Sequence, residues 1–138
     1  MIILDTDVLS AVIAPVPIPH VTVWLDAQPS ADLCLTAITI YEIRAGIEAL
    51  PAGRRRKALE GAFDTALKLF EDRVFPFDRD AAEEAGKLAA RRLSIGPPNE
   101  HRDTQIAGIV LARGAALATR KVRHFSDLDV SIIDPWMS

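Results

Sequence analysis

The chain has 138 residues and a mass of 15.1 kDa, enough for one domain spanning residues 1–138 and too little for a second. With 49% hydrophobic and 25% charged residues it is far from a disordered composition, and no apolar run approaches the roughly 20 residues that a bilayer requires. Sixteen basic residues against 19 acidic ones leave a net charge of −3, which excludes attraction to nucleic acid over the whole surface and confines any such contact to local patches.

The first residues carry no basic region ahead of an apolar segment, so no secretory signal is expected, and Cys34 alone forms no internal disulfide. Both features point to a reducing cytoplasm. Ile2 to Leu4 reads as a short strand, and Asp5, Thr6 and Asp7 follow as competing caps for a helix from Val8 to Ala14, which Pro15, Pro17 and Pro19 terminate. Val21 to Leu25 is helix-compatible, and Leu33 to Leu35 is a candidate strand. Thr39 and Glu42 have capping-box spacing, with Ile40, Ile43 and Ile47 recurring at helical period until Pro51.

A second helix from Arg54 to Glu71 and a strand from Val74 to Phe77 follow. Asp78 caps an alanine-rich helix that runs to about Leu93 and stops at Gly96, Pro97 and Pro98. Arg102 to Arg113 reads as a helix ended by Gly114, Ala115 to Ala118 as a strand, and Val130 to Ile133 as the last strand. Brief apolar strands alternating with helices indicate an α/β domain, a parallel sheet flanked by helices on both faces. In such sheets ligands bind beyond the carboxyl ends of the strands, which is where chemistry is sought.

Three carboxylates fall at those ends. Asp5 follows the first strand directly, and Glu42 lies in the first turn of the helix after the second, where capping accounts for it as well as a site does. Ala45, Gly46 and Ala49 leave room on the Glu42 side of its helix. Asp103 stands one turn before Ile106 and Ala107, in line with the apolar stripe, so its charge needs a cation, a hydrogen-bond cluster or a proton. Converging, the three would form a hard all-oxygen site suited to Mg²⁺ or Mn²⁺ and to phosphoryl chemistry. The chain has no Gly-rich phosphate loop, no zinc spacing and no Gly-x-Ser-x-Gly elbow. His20 and His101 read as surface residues. Of the basic groups, Arg54 to Lys57 and Arg91–Arg92 read as solvated helix faces, whereas Arg120, Lys121 and Arg123 follow a strand.

The segments Ile3-Leu4-Asp5-Thr6-Asp7-Val8-Leu9, Ala37 to Gly46, Phe77-Asp78, Asp103-Thr104-Gln105-Ile106-Ala107, Leu117-Ala118-Thr119-Arg120 and Asp134-Pro135-Trp136, in this order, resemble PIN-domain ribonucleases and, within them, VapC-type toxins of toxin–antitoxin systems. The resemblance implies a five-stranded parallel sheet between helices and metal-dependent cleavage of RNA. It carries the acidic residues over to Asp5, Glu42 and Asp103, with Asp5 and Asp103 as direct metal ligands. It further implies a homodimer blocked by a small VapB-type antitoxin, often one that binds its own operator DNA. On this reading Thr6 and Thr119 orient carboxylates or water, and Arg120, Lys121 and Arg123 hold the RNA backbone.

Three positions depart from that pattern. Asp7 stands where the family usually has Asn and adds negative charge. Lys121 and His124 stand where the family tends to carry Asn or Asp and then a fourth acidic residue, and a Lys ammonium there competes with a metal for the same field. Asp127 and Asp129, in the following loop, are the candidate replacements. The departure leaves a second reading open, a non-catalytic protein of the same fold that binds an antitoxin or RNA. A third starts from Asp5-Thr6-Asp7-Val8, which looks like the nucleophile motif of haloacid-dehalogenase-type phosphatases.

Overall fold

Side chains on a strand alternate between its two faces, so a strand that is apolar at consecutive positions needs a core on each side. β1 (Ile2–Leu4) meets this condition: Ile3 packs into one cluster and Leu4 into another, and both are fully buried. β2 (Leu33–Thr36) sends Leu33 and Leu35 to the Leu4 side and Cys34 to the Ile3 side, and β4 (Ala116–Ala118) splits Leu117 from Ala118 in the same way. With β3 (Val74–Phe75) and β5 (Ile132–Ile133) they form a five-stranded sheet in the order β3-β2-β1-β4-β5, every pairing parallel. A computed structural model of the chain describes residues 1–95 and 100–138.

One face of the sheet is covered by α1 (Thr6–Ile13), α2 (Pro19–Asp26), α3 (Ala37–Glu48) and α4 (Arg54–Leu69), packed through Val8, Leu9, Trp24, Ile43 and Phe63. The other is covered by α5 (Arg79–Ile95) and α6 (His101–Arg113) through Leu88, Ile106 and Ile109, with Phe125 from a short 3₁₀ turn, Val122–Phe125. None of the helices described is long and apolar enough to cross a membrane. The apolar residues of the first two helices divide: Val8, Leu9, Ile13, Val21 and Trp24 are buried, whereas Val12 and Val23 are exposed.

Several boundaries move from the positions read in the sequence. α1 starts at Thr6, because Asp5 is its N-cap and accepts from the Thr6 amide at 2.8 Å. Pro19 opens α2 rather than closing α1, since proline at the first helical position forfeits no internal hydrogen bond. α3 begins at Ala37, with the Thr36 hydroxyl accepting from Thr39 N at 3.1 Å, so the cap lies three residues earlier than the Thr39–Glu42 spacing suggested. Gly114 ends α6 in the left-handed region, φ 62°, as its position predicts. The stop read at 96–98 lies outside the described residues.

Arg92 is not on a solvated face. Its guanidinium is buried and grips the loop after β4, donating to Asp127 Oδ2 and Oδ1 at 2.9 and 2.8 Å, to the His124 carbonyl at 2.7 Å and to Thr104 Oγ1 at 3.2 Å. Beneath this clamp α5 and α6 pack with backbone nearly touching. A Cβ on Gly108 would fall 2.4 Å from the Ala81 carbonyl oxygen and 2.7 Å from Ala85 Cβ. Gly108→Ala is therefore expected to destabilise the fold by about 1–3 kcal/mol, the usual cost of overpacking a dense core, read as a lower midpoint in urea unfolding.

Candidate acidic site at the carboxyl edge of the sheet

The strand order reverses about β1, which has β2 on one side and β4 on the other, so the loops leaving β1 and β4 diverge and open a crevice at the carboxyl edge. Asp5 and Thr119, the residues that follow those strands, stand at this point and are both fully buried. Thr119 Oγ1 donates to Asp5 Oδ2 at 2.6 Å and Thr6 N to Oδ1, so both carboxylate oxygens are held in one orientation. Burial nevertheless pushes the Asp5 carboxyl above its ordinary range, outweighing the Lys121 charge and these hydrogen bonds.

Asp103 lies in the first turn of α6, where Glu100 caps the helix and accepts from Asp103 N at 2.8 Å. Its side chain is 3% exposed and receives the cation that its placement demands: Lys121 Nζ donates to Oδ1 at 2.6 Å, while His124 Nδ1 lies 3.0 Å from Oδ2. The same ammonium stands 3.9 Å from Asp5 Oδ2. Burial pulls the Lys121 ammonium down, but the charges of Asp5, Asp103 and Asp7 carry it above the ordinary lysine range. Lys121 is therefore drawn inward instead of lying free for a phosphate.

Glu42 is not the partner of a capping box. Its Oε1 accepts from Thr6 Oγ1 at 2.8 Å, Thr6 Oγ1 lies 3.0 Å from Thr39 Oγ1, and Arg102 Nε stands 3.9 Å from Oε2. Its carboxyl is raised mainly by burial, with the Asp5 charge adding to the effect. Among the described residues no three His, Cys, Asp or Glu side chains converge closely enough to enclose a metal ion. Two carboxylates instead share one ammonium, and Glu42 joins them through Thr6. The donors are hard oxygens, two of the three carboxylates are buried, and Lys121 Nζ already marks a point that takes positive charge, so the residues fit a divalent ion of the Mg²⁺ or Mn²⁺ kind once that ammonium is elsewhere.

The remaining candidates separate. Thr119 orients Asp5 and is too buried to touch a substrate. Arg120 is exposed over the Trp136 ring, 5.1 Å to its centroid, and Arg123 is exposed. Asp127 is held by Arg92, and Asp129 joins no cluster of three acidic side chains among the described residues. His20 and His101 lie at the surface as expected. Beside Glu42, in the room left by Gly46, a groove of about 450 Å³ is lined by Thr6, Ser10, Glu42, Gly46, Arg55 and Arg102, among others. Arg55 belongs to the basic run that reads as a solvated helix face, and Arg102 carries no sequence signal beyond its place one step before Asp103.

Asp7 holds an electrostatic imbalance. Its Oδ2 accepts from Arg120 N at 3.1 Å, while Oδ1 is buried without a hydrogen-bond partner among the described residues. Burial, aided by the Asp5 charge, pushes its carboxyl up to about 6. A carboxyl raised on folding penalises the native state once it ionises, so the penalty is absent below about pH 4 and complete above about pH 6. Asp7→Asn is expected to stabilise the protein by about 1–2 kcal/mol at pH 7, allowing for partial exposure, and by nothing measurable near pH 3.5. Denaturant melts in EDTA at the two pH values check this.

Comparison with known proteins identifies the fold. The PIN domain family model matches residues 2–130. The chain is 38% identical over 137 residues to the plasmid stability protein StbB of Pseudomonas syringae pv. tomato, covering 99% of both chains. It is 37% identical to the VapC ribonuclease Y4jK of Sinorhizobium fredii, covering 99% of this chain and 98% of the other. Its fold superposes on the crystal structure of FitAcB from Neisseria gonorrhoeae with a TM-score of 0.91, at 32% identity and full coverage of both chains. The chain belongs to the PIN-domain family.

Proposed function

We propose that the protein is a divalent-metal-dependent endoribonuclease that acts as the toxin of a VapBC-type pair. The carrying observation is the convergence of buried Asp5 and Asp103 on one cation at the switch point of the sheet. Asp5 and Asp103 would hold Mg²⁺ or Mn²⁺, with Glu42 beside them. Such an ion supplies a water of lowered pKa and counter-charge for the scissile phosphate. Thr119 and Thr6 keep Asp5 and Glu42 aimed, and Arg92 fixes the turn that carries His124.

The chain's own charge of −3 leaves RNA binding to local cations. Arg55 lines the groove beside Glu42, and Arg120 and Arg123 lie exposed after β4, so these three arginines serve the RNA backbone, whereas Arg102 stands against Glu42 and Glu100. The resemblance to VapC-type toxins and the name of the Sinorhizobium relative support the ribonuclease reading. A cytoplasmic site of action, a homodimer and a VapB-type antitoxin, through which DNA is reached, accompany it.

The ion pair of Lys121 with Asp103, and the His124 ring beside the same carboxylate, favour one other reading, a PIN-fold protein that binds antitoxin or RNA without cutting. Phosphorylation at Asp5 has no such support, since its side chain is fully buried and both of its oxygens are engaged. Purified protein and Asp5→Asn and Asp103→Asn variants, incubated with a mixed structured RNA in Mg²⁺, Mn²⁺ or EDTA, separate the readings. Cleavage should require a divalent ion and fall by about 100-fold or more in either variant, as when a group that stabilises transition-state charge is removed, with melting curves intact. Equal cleavage by the Asp5→Asn variant, or none by the folded parent protein, overturns the catalytic reading.

A further inference from the structure

We propose that Lys121 is a tethered counter-cation that keeps the acidic site closed to metal, and that a divalent ion enters only by exchange with its ammonium. This rests on the reading of Asp5 and Asp103 as the seat of that ion. Lys121 Nζ stands 2.6 Å from Asp103 Oδ1 and 3.9 Å from Asp5 Oδ2. A small divalent ion binds carboxylate oxygen at about 2.0–2.1 Å, so an ion on these same atoms would lie against the ammonium, charge to like charge in a water-poor pocket. The two cations exclude each other.

The exchange needs little movement. The Lys121 backbone is held independently of its side chain: its amide donates to Thr119 Oγ1 at 3.0 Å, and the neighbouring Arg120 amide donates to Asp7 Oδ2 at 3.1 Å. Only the four-carbon stem has to swing, and the side chain is 37% exposed, so a path to water is open to it. Asp103 remains in place when the ammonium leaves, because Oδ2 faces His124 Nδ1 at 3.0 Å and the Asp103 amide is capped by Glu100. Asp5 likewise keeps Thr119 and the Thr6 amide. Lysine suits this task better than arginine, being a compact point charge on a flexible stem without a bidentate grip on one carboxylate.

Two measurements on the intact chain test the exchange. In Mn²⁺ titrations followed by the electron paramagnetic resonance signal of free Mn²⁺, Lys121→Gln should bind about tenfold more tightly than the parent protein, the size of an ordinary coupling free energy. Against the chance that this variant unfolds without metal, the parent protein is labelled with an amine-acetylating ester in EDTA and in saturating Mg²⁺, and its peptides are weighed. Lys121 should be acetylated several-fold faster with Mg²⁺ while Lys57, Lys68 and Lys87 are unchanged. Equal Mn²⁺ affinity together with unchanged Lys121 labelling overturns the exchange, and if Asp5→Asn still abolishes Mn²⁺ binding the nuclease reading survives. Absence of Mn²⁺ binding by parent, Lys121→Gln and Asp5→Asn proteins alike overturns both.

Discussion

Buried carboxylate charge at the centre of the sheet is the constraint around which the rest of the molecule is arranged. Asp5 and Asp103 sit where water is scarce, and an ionised carboxylate left alone there costs several kcal/mol. The fold answers with hydrogen bonds from Thr119 and the Thr6 amide on Asp5, and with Lys121 and His124 on Asp103. This compensation is local, and most of it comes from one stretch, Thr119 to His124. A purely structural core would have no reason to accept such a cost, since an apolar pair of similar volume is as stable or more so. Retaining the charges makes sense where they are used.

The second buried charge explains how that stretch is kept in register. Arg92 reaches from α5 to the Asp127 carboxylate and the His124 carbonyl, and it also touches Thr104, the neighbour of Asp103 on α6. One guanidinium thus ties the turn bearing His124 to the helix bearing Asp103, so the two sides of the acidic site shift together or not at all. Its bidentate grip holds Asp127 ionised and pulls that carboxyl below its ordinary range. The same contacts remove Asp127 from the list of metal ligands, which only the three-dimensional arrangement could show.

Most of the architecture was legible in the sequence. Apolar strands too short to alternate usefully, helices with clear stripes, and Gly114 as a stop lead directly to a parallel sheet covered on both faces. Helix starts are less legible: Thr39 has capping-box spacing with Glu42 yet the cap is Thr36, and Asp5, Thr6 and Asp7 compete for one capping task that only backbone geometry decides. Asp103 could be picked out because its place in an apolar stripe demands a counter-charge. What that counter-charge would be could not be read from spacing alone: Lys121 and His124 are remote in sequence, and their approach depends on β4 pairing with β1. Arg92 differs for the complementary reason, since a basic pair on a helix looks solvated until a loop from elsewhere closes over one member.

The charge pattern also bears on how RNA would approach. With net charge −3 the protein repels a polyanion at long range, and the acidic site adds to that repulsion at its centre. Yet Lys121 offsets part of the acidic charge in place and Arg102 stands against both Glu42 and Glu100, while Arg55 lies along the groove at Glu42 and Arg120 and Arg123 lie exposed after β4. A backbone held by these groups is anchored by its flanking phosphates. The phosphate set against Asp5 and Asp103 would then be the one with the weakest hold from protein cations, and so the one most dependent on a metal ion for counter-charge. Under the exchange proposed for Lys121, the inward ammonium and the metal alternate as that counter-charge, so the acidic pair is never left bare.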